Sequence, residues 1–558
     1  MTRATAALAQ LEQIRGTFGG DAGRYKLEAL LALEHAPLQN AGEVRRLHEI
    51  LCWMHAYPDT PSVLRRVRAM LARFARRADL RRNRASLADT GISGTRIQYV
   101  FFWFTAQWLA RRWPDRLTID WKAFDTRREL VPLLPLMLPY PETTALDEVS
   151  LSARQWIARL KGPRETDAAF LVRRVASLHP SPFGREMLYE RLGVPLILSP
   201  GPDTPARTTA RWHTDATVFQ TRPLDRSRPS LRREARRPPV AVRPVAPRDG
   251  DHLIDLAREA MVTRARDLDN FIHADRRDVR MFEFRDGLQF ACFGMVPARR
   301  LMLESVYGML TLHNGVPIGY VLASALFGSS EVMYNVFDTY RGGEAARMYG
   351  SVLSMVAHLF GADTFAIDPF QLGHDNEEGQ RSGAFWFYYK LGFRPRDRHV
   401  QALVRQEAEC LTRNPGTRSS RATLQRLSAA YVFLHTARPR RDVLGQVSLG
   451  AIGLRVSHYL AEHAGAERER GMRACAHEAG RLLGVRSTDG WSPDERLAWE
   501  RWSPLVLTLS GVDRWSADDR RALVAVVRAK GGRRESDFVR LFDRHRALRR
   551  AVLQLAAS

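Results

Sequence analysis

The sequence predicts a multidomain α+β protein in which a central region built on a mixed β-sheet is flanked by mainly α-helical N-terminal and C-terminal regions. Three observations predict it. At 558 residues the chain exceeds what one hydrophobic core accommodates, about 250 to 300 residues, so several domains are expected. Apolar residues recur at three- and four-residue spacing from about Leu8 to Leu192 and again from about Ala422 to the end. Between these stretches, after Pro239, runs dense in β-branched and aromatic residues alternate with helical pattern. The expected division is a helical domain over 1–198, a Pro/Arg-rich linker over 199–238, a mixed-sheet domain over 239–418 and a helical domain over 419–558.

In the first helical region Val63, Val67, Met70, Leu71 and Phe74 form one stripe, with arginines on the other faces. His48, Cys52 and His55 fall on one helix face and carry metal-ligand chemistry, but Leu47, Ile50, Leu51 and Met54 surround them, so a helix–helix contact is expected there. His48-Glu49 and His477-Glu478 begin like the HExxH zinc-protease motif; Cys52 and Arg481 stand where its second histidine belongs. The turn DTGISGT, Asp89 to Thr95, is not followed by the Gly-Lys-Ser/Thr of a nucleotide P-loop, and Thr95 is expected to cap a buried aromatic helix over Tyr99 to Trp108. The most apolar run, IQYVFFWFTAQWL from Ile97, is shorter than the roughly 20 residues needed to cross a bilayer.

Composition narrows the classes. With 45% hydrophobic and 26% charged residues the chain has the content of a globular protein, not of a disordered one. The net charge of +24 attracts polyanions, yet only five of its 85 basic residues are lysine, a skew that genome base composition alone produces. Cys52, Cys292, Cys410 and Cys475 lie far apart with no CxxC pair, which points to a reducing compartment and away from a disulfide scaffold or zinc ribbon. The first residues, MTRATAALAQLEQIRG, lack the apolar core of a signal peptide, so a cytoplasmic protein without a transmembrane segment is expected.

Between Ser199 and Pro239 periodicity gives way to Pro, Arg, Thr and Ser, the pattern of a linker or extended arm. Strands are then predicted in VAVRPV, LQFACFGM, the long run from Leu303 to Phe327, and Glu331 to Phe337. Asn314-Gly315 inside the long run marks a tight hairpin, since both central residues of that turn need positive φ. A helix from Glu344 to Phe360, a strand Thr364 to Ile367 and a helix containing Gly383 to Lys390 follow.

The chemistry concentrates in NVFDTYRGGEAARMYGSVL, Asn335 to Leu353. There a strand ends in Tyr340-Arg341-Gly342-Gly343 and a helix begins at once. Glycines let backbone N–H groups turn inward and the helix N-terminus adds its positive dipole, so a pyrophosphate fits there. About forty residues on, SGAFWFYYKLGFRP, Ser382 to Pro395, places a tyrosine on a helix that ends in Leu-Gly-Phe. In order and spacing these two motifs resemble those of the acyl-CoA N-acyltransferase (GNAT) superfamily, over about residues 240–395. The resemblance implies acyl transfer from acetyl-CoA or another acyl-CoA to an unidentified amine, with a CoA site at Val336, Phe337, Arg341, Gly342, Gly343, Glu344, Ala345 and Ala346. It also implies that Tyr388 protonates the departing thiolate and that backbone N–H groups around Val336 to Asp338 polarise the thioester carbonyl. Glu344 stands where the superfamily has its central glycine, and its carboxylate repels a diphosphate unless it points away or caps its own helix.

Attack of an amine on a thioester needs a base for the ammonium proton. Glu331 and Asp338, at the two ends of the predicted fourth strand, are the candidates, with Glu304 and Asp368 nearby in the pattern. The polar loop Pro369 to Arg381 offers His374, Asp375, Asn376 and Glu377 to an acceptor, or is a solvated connection. Two readings from other classes remain. One is a catalytically degenerate GNAT-like scaffold or ligand sensor; the other is a nucleic-acid binder using the Arg-rich segment Arg222 to Arg243.

Overall fold

Residues 2–178, 181–214, 216–342 and 344–557 are described by the computed structural model. Their contacts divide the chain into two compact units. The first takes Met1–Pro223, His252–Ile272 and His313–Pro317, and the second Leu224–Asp251, His273–Leu312 and Ile318–Ser558. No helix among the described residues is long and apolar enough to cross a membrane.

The first unit begins with the helices Arg3–Ile14, Ala22–Glu34, Ala41–Ala56 and Pro61–Arg73, the last carrying the expected buried stripe Val63, Val67, Met70 and Leu71. His48, Cys52 and His55 are buried in the Ala41–Ala56 helix, where burial holds the Cys52 thiol up at about 12 and the His55 imidazole down at about 3. The unit is not all helix. Strands β1 (Ile97–Val100), β2 (Leu117–Ile119) and β3 (Pro195–Leu198) form an antiparallel sheet in the order β1-β3-β2. The aromatic run therefore starts as a strand, because its β-branched and aromatic residues pair with the apolar segment PLIL, and the helix begins only at Trp103. Thr95 does not cap it. The Thr95 hydroxyl donates to the Ile92 carbonyl at 2.7 Å, while the Asp267 carboxylate accepts from the Phe102 N–H at 2.8 Å and from the Thr105 hydroxyl at 2.6 Å.

The segment after Ser199 has no periodicity because its backbone is satisfied by distant partners. The Trp212 N–H donates to the Gly315 carbonyl and the Gln220 N–H to the Pro58 carbonyl, each at 2.7 Å. Asn314 and Gly315 adopt φ of 49° and 78°, as the hairpin turn requires, and a Cβ on Gly315 would lie 2.2 Å from the Trp212 carbonyl oxygen.

The second unit holds a nine-stranded sheet: β4 (Ala241–Pro244), β5 (Ala274–Glu283), β6 (Leu288–Met295), β7 (Ser305–His313), β8 (Val316–Leu326), β9 (Ser329–Val336), β10 (Thr364–Ile367), β11 (Arg394–Pro395) and β12 (Val432–His435). Their order is β11-β12-β10-β9-β8-β7-β6-β5-β4. The sheet is mixed, with β9 and β10 parallel and β4–β5, β5–β6, β8–β9, β10–β12 and β11–β12 antiparallel. Two strands lack a sequence signal. β5 reads ADRRDVRMFE, with paired charges and a register shift between Ala274 and Val279 that break the alternation. β12, in the region expected to be helical, is only four residues long, and it is a strand because it fills the place between β10 and β11.

Helices Arg468–Leu483, Pro493–Thr508, Ala517–Lys530 and Glu535–Arg544 follow, with breaks at Gly484, Gly490 to Ser492 and Gly531-Gly532 as the pattern indicates. A buried ion pair, Lys530 Nζ to Glu535 Oε1 at 2.6 Å, joins the last two, and Arg300 ties them to the sheet by donating to the Lys530 carbonyl at 2.7 Å and the Gly532 carbonyl at 2.6 Å.

Candidate functional site

The site is organised by β9 and by the helix Ala345–Phe360 that follows it. The helix is apolar on the face carrying Met348, Tyr349, Val352, Leu353 and Val356, all buried, and it ends at Gly361 in the left-handed conformation. Among the described residues its first hydrogen bond runs from the Met348 N–H to the Glu344 carbonyl at 2.9 Å. The N–H groups of Ala345, Ala346 and Arg347 have no hydrogen-bond acceptor among the described residues and stand at the positive end of the helix dipole. Gly342, at φ 85° with open space around it, makes the turn into the helix; Gly343 lies outside the described residues.

A cavity of about 830 Å³ opens on this first turn. One wall is Glu344, Ala345 and Ala346; a second is Asp225 to Arg228; a third is Gln380 to Gly383 with Trp386, Phe387, Lys390 and Leu391; a fourth is Leu411, Thr417 to Ser419 and Leu424. Five cations line it, Arg226, Arg228, Arg381, Lys390 and Arg418, against two carboxylates, Asp225 and Glu344. The Trp386 indole N–H donates to the Ser419 hydroxyl at 2.9 Å, which fixes the ring in the cavity wall.

Glu344 is only 9% exposed. It does not cap its own helix; its Oε1 accepts from the Asp225 N–H and pairs with Arg347, each at 3.3 Å, and burial raises its carboxyl pKa. The second half of the segment expected as a linker is thereby held against this helix. Leu231 and Ala235 are buried, and the Ser354 hydroxyl donates to the Arg237 carbonyl. No sequence signal marks this docking, because the contacts come from an irregular chain with one four-residue helix, Leu231–Glu234.

The parallel pairing of β9 with β10 covers only Ser329 to Glu331, opposite Thr364 to Ala366. Beyond it β9 continues to Val336 while β10 ends at Ile367, so the two strands part. On its other edge β9 is paired with β8, and the Phe337 N–H donates to the Ile318 carbonyl at 2.9 Å. The Phe337 N–H is thus engaged in the ladder. Because successive peptide groups of a strand face opposite edges, the Val336 peptide faces the gap, and its carbonyl accepts there from Arg341 Nε at 3.0 Å.

Glu331 sits where the strands part. Burial, reinforced by the carboxylates of Asp368 and Glu304, raises its pKa to about 7, although the Tyr431 hydroxyl donates to it at 3.3 Å. Tyr431, from beside β12, carries no sequence signal for this role. Asp338 is different. Its side chain is 80% exposed and paired with Arg341 at 2.8 Å. Arg341 also donates to Glu378 Oε1 at 2.5 Å, so its charge is met by two carboxylates and it does not line the cavity.

Tyr388 lies in the helix Ala384–Lys390 but faces the core, edge-on to Tyr349 at 5.4 Å and Phe393 at 5.7 Å, and burial raises its pKa. Its neighbours Trp386 and Phe387 line the cavity instead. The polar loop is largely committed to structure. Asn376 caps the helix Glu377–Ser382, Glu377 pairs with Arg381 and Arg421, and His374 and Asp375 bond to Gln425. No family model matches the chain, and neither a curated protein nor a solved structure matches it.

Proposed function

We propose that the second unit is an acyl-CoA-dependent N-acyltransferase of the GNAT type that transfers an acyl group to an amine. The observation that carries this is the cavity of about 830 Å³ on the first turn of the helix that follows β9, lined by five cations and an indole. N–H groups at a helix start and cations suit a diphosphate, and Trp386 offers a face for a purine. The parting of β9 and β10 and the order of the two motifs support the same reading.

In this reading the diphosphate lies at Ala345 and Ala346 and the acyl-bearing arm runs along the gap toward Glu331. Val336 and Glu331 lie roughly 16 Å apart along β9, so the thioester at Val336 leaves room in the gap for the acceptor. The acceptor ammonium passes one proton through water in the gap to Glu331, whose pKa near 7 suits it to accept at neutral pH. The neutral nitrogen adds to the thioester carbonyl, and the developing oxyanion meets the Val336 N–H. Collapse breaks the carbon–sulfur bond and expels the CoA thiolate, which takes up the second nitrogen proton and leaves as the thiol. Tyr388 has no part in this scheme.

Calorimetric titration with acetyl-CoA and longer acyl-CoAs tests the proposal. Saturable one-to-one binding is expected; absence of both heat and thermal stabilisation with every CoA ester would overturn it.

A further inference from the structure

We propose that the cavity is built for a ligand bearing a phosphomonoester in addition to a diphosphate, and that Arg226 and Arg228 bind the extra phosphate. The inference rests on the acyl-CoA reading, for which the extra group is the 3′-phosphate of CoA, and it assigns that reading's specificity to a segment that precedes the sheet.

A diphosphate diester carries about two negative charges, and the open first turn of the Ala345–Phe360 helix already faces it with backbone N–H groups. Five side-chain cations are more than it requires. Arg381 is accounted for by Glu377 at 2.7 Å. Arg226, Arg228, Lys390 and Arg418 line the same cavity and form no ion pair among the described residues. Glu344 is met by Arg347, which leaves Asp225 alone in the wall against these four cations, so positive charge remains beyond the two negative charges of a diphosphate, and a phosphomonoester brings about 1.5 to 2 more at pH 7.

Two of the four stand on a segment with a fixed position. The Asp225 N–H donates to Glu344 Oε1 at 3.3 Å, and buried Leu231 and Ala235 anchor the chain just beyond. Arg226 and Arg228 are thus held in the cavity wall. Their planar guanidinium groups match a terminal phosphate in two-point contact better than they match a shielded diester.

The test titrates the full chain with CoA and with 3′-dephospho-CoA at one salt concentration, and repeats both titrations on the double variant Arg226→Gln, Arg228→Gln. Both side chains are exposed, so the variant is expected to fold, and its thermal unfolding is measured alongside. The wild type is expected to bind CoA roughly ten- to a hundredfold more tightly than 3′-dephospho-CoA, and the variant to lose that gap while keeping its affinity for 3′-dephospho-CoA. Equal affinities in the wild type, a gap that survives in the variant, or equal weakening toward both ligands would overturn the inference and leave the acyl-CoA reading intact. Failure of the wild type to bind either ligand would overturn both.

Discussion

The two ends of β9 differ in charge and in access, and the difference suggests a division of labour along one strand. At its start Glu331 is crowded by Asp368 and Glu304, and burial keeps it near neutrality. Past its end the cavity is open and lined by cations, with the N–H groups of a helix in its wall. The first environment takes up a proton; the second attracts an anion. A reaction that joins a cationic amine to a polyphosphorylated thioester needs both, a fixed distance apart.

Removing the acid end is the largest way to break this comparison. Glu331→Gln is expected to lower kcat by about 10²- to 10⁴-fold, read by thiol release once an acceptor amine is in hand. The same variant sharpens the electrostatic claim. The pKa of Glu331 is raised on folding from 4.5 to about 7, so its contribution to stability is fully present below about pH 4.5 and is lost as pH rises through about 7. Glu331→Gln should therefore be more stable than the wild type at pH 8, on the order of 3 kcal/mol, with the gain vanishing near pH 4. Denaturant unfolding at the two pH values checks it; a variant less stable at pH 8 would show that the carboxylate is a stabilising contact and not a buried base.

At the basic end, Glu344→Gln keeps an acceptor for the Asp225 N–H and removes a like charge from the cavity wall. CoA binding should tighten by up to about tenfold, more at low salt than at high. Loosening on this substitution would mean that the Glu344 carboxylate is needed as a charge, through Arg347.

Smaller effects separate the sequence motif from the geometry. Arg341 occupies the motif position but is spent on Asp338 and Glu378, so Arg341→Ala should change CoA affinity by less than about fivefold. Tyr388→Phe should leave turnover nearly unchanged, far short of the roughly hundredfold loss that removal of a general acid brings. A large kcat loss in that variant would return Tyr388 to the mechanism.

The part of the fold legible in the sequence was the part with strong local pattern. β6 and β10 match the apolar runs from which they were expected, and Asn314-Gly315 marked its hairpin because the turn chemistry is local. β5 and β12 were not legible, since paired charges disguise the one and the other depends on its place in the sheet. The site divided the same way. Glycine at 342 and the helix start were visible, whereas the direction of Tyr388, the engagement of Arg341 and the docking of Asp225 to Arg228 depend on which face each element turns to its neighbours. Tyr431 approaches Glu331 from 100 residues away, a proximity that only the sheet order creates.

The most direct test of the account is a crystal structure of the chain grown with saturating acetyl-CoA. Density is expected for the diphosphate against the N–H groups of Ala345 and Ala346 and for the thioester carbonyl at the Val336 N–H, with the acyl group toward Glu331. An empty cavity at saturating ligand, or a ligand bound with its diphosphate away from the Ala345–Phe360 helix, would contradict it.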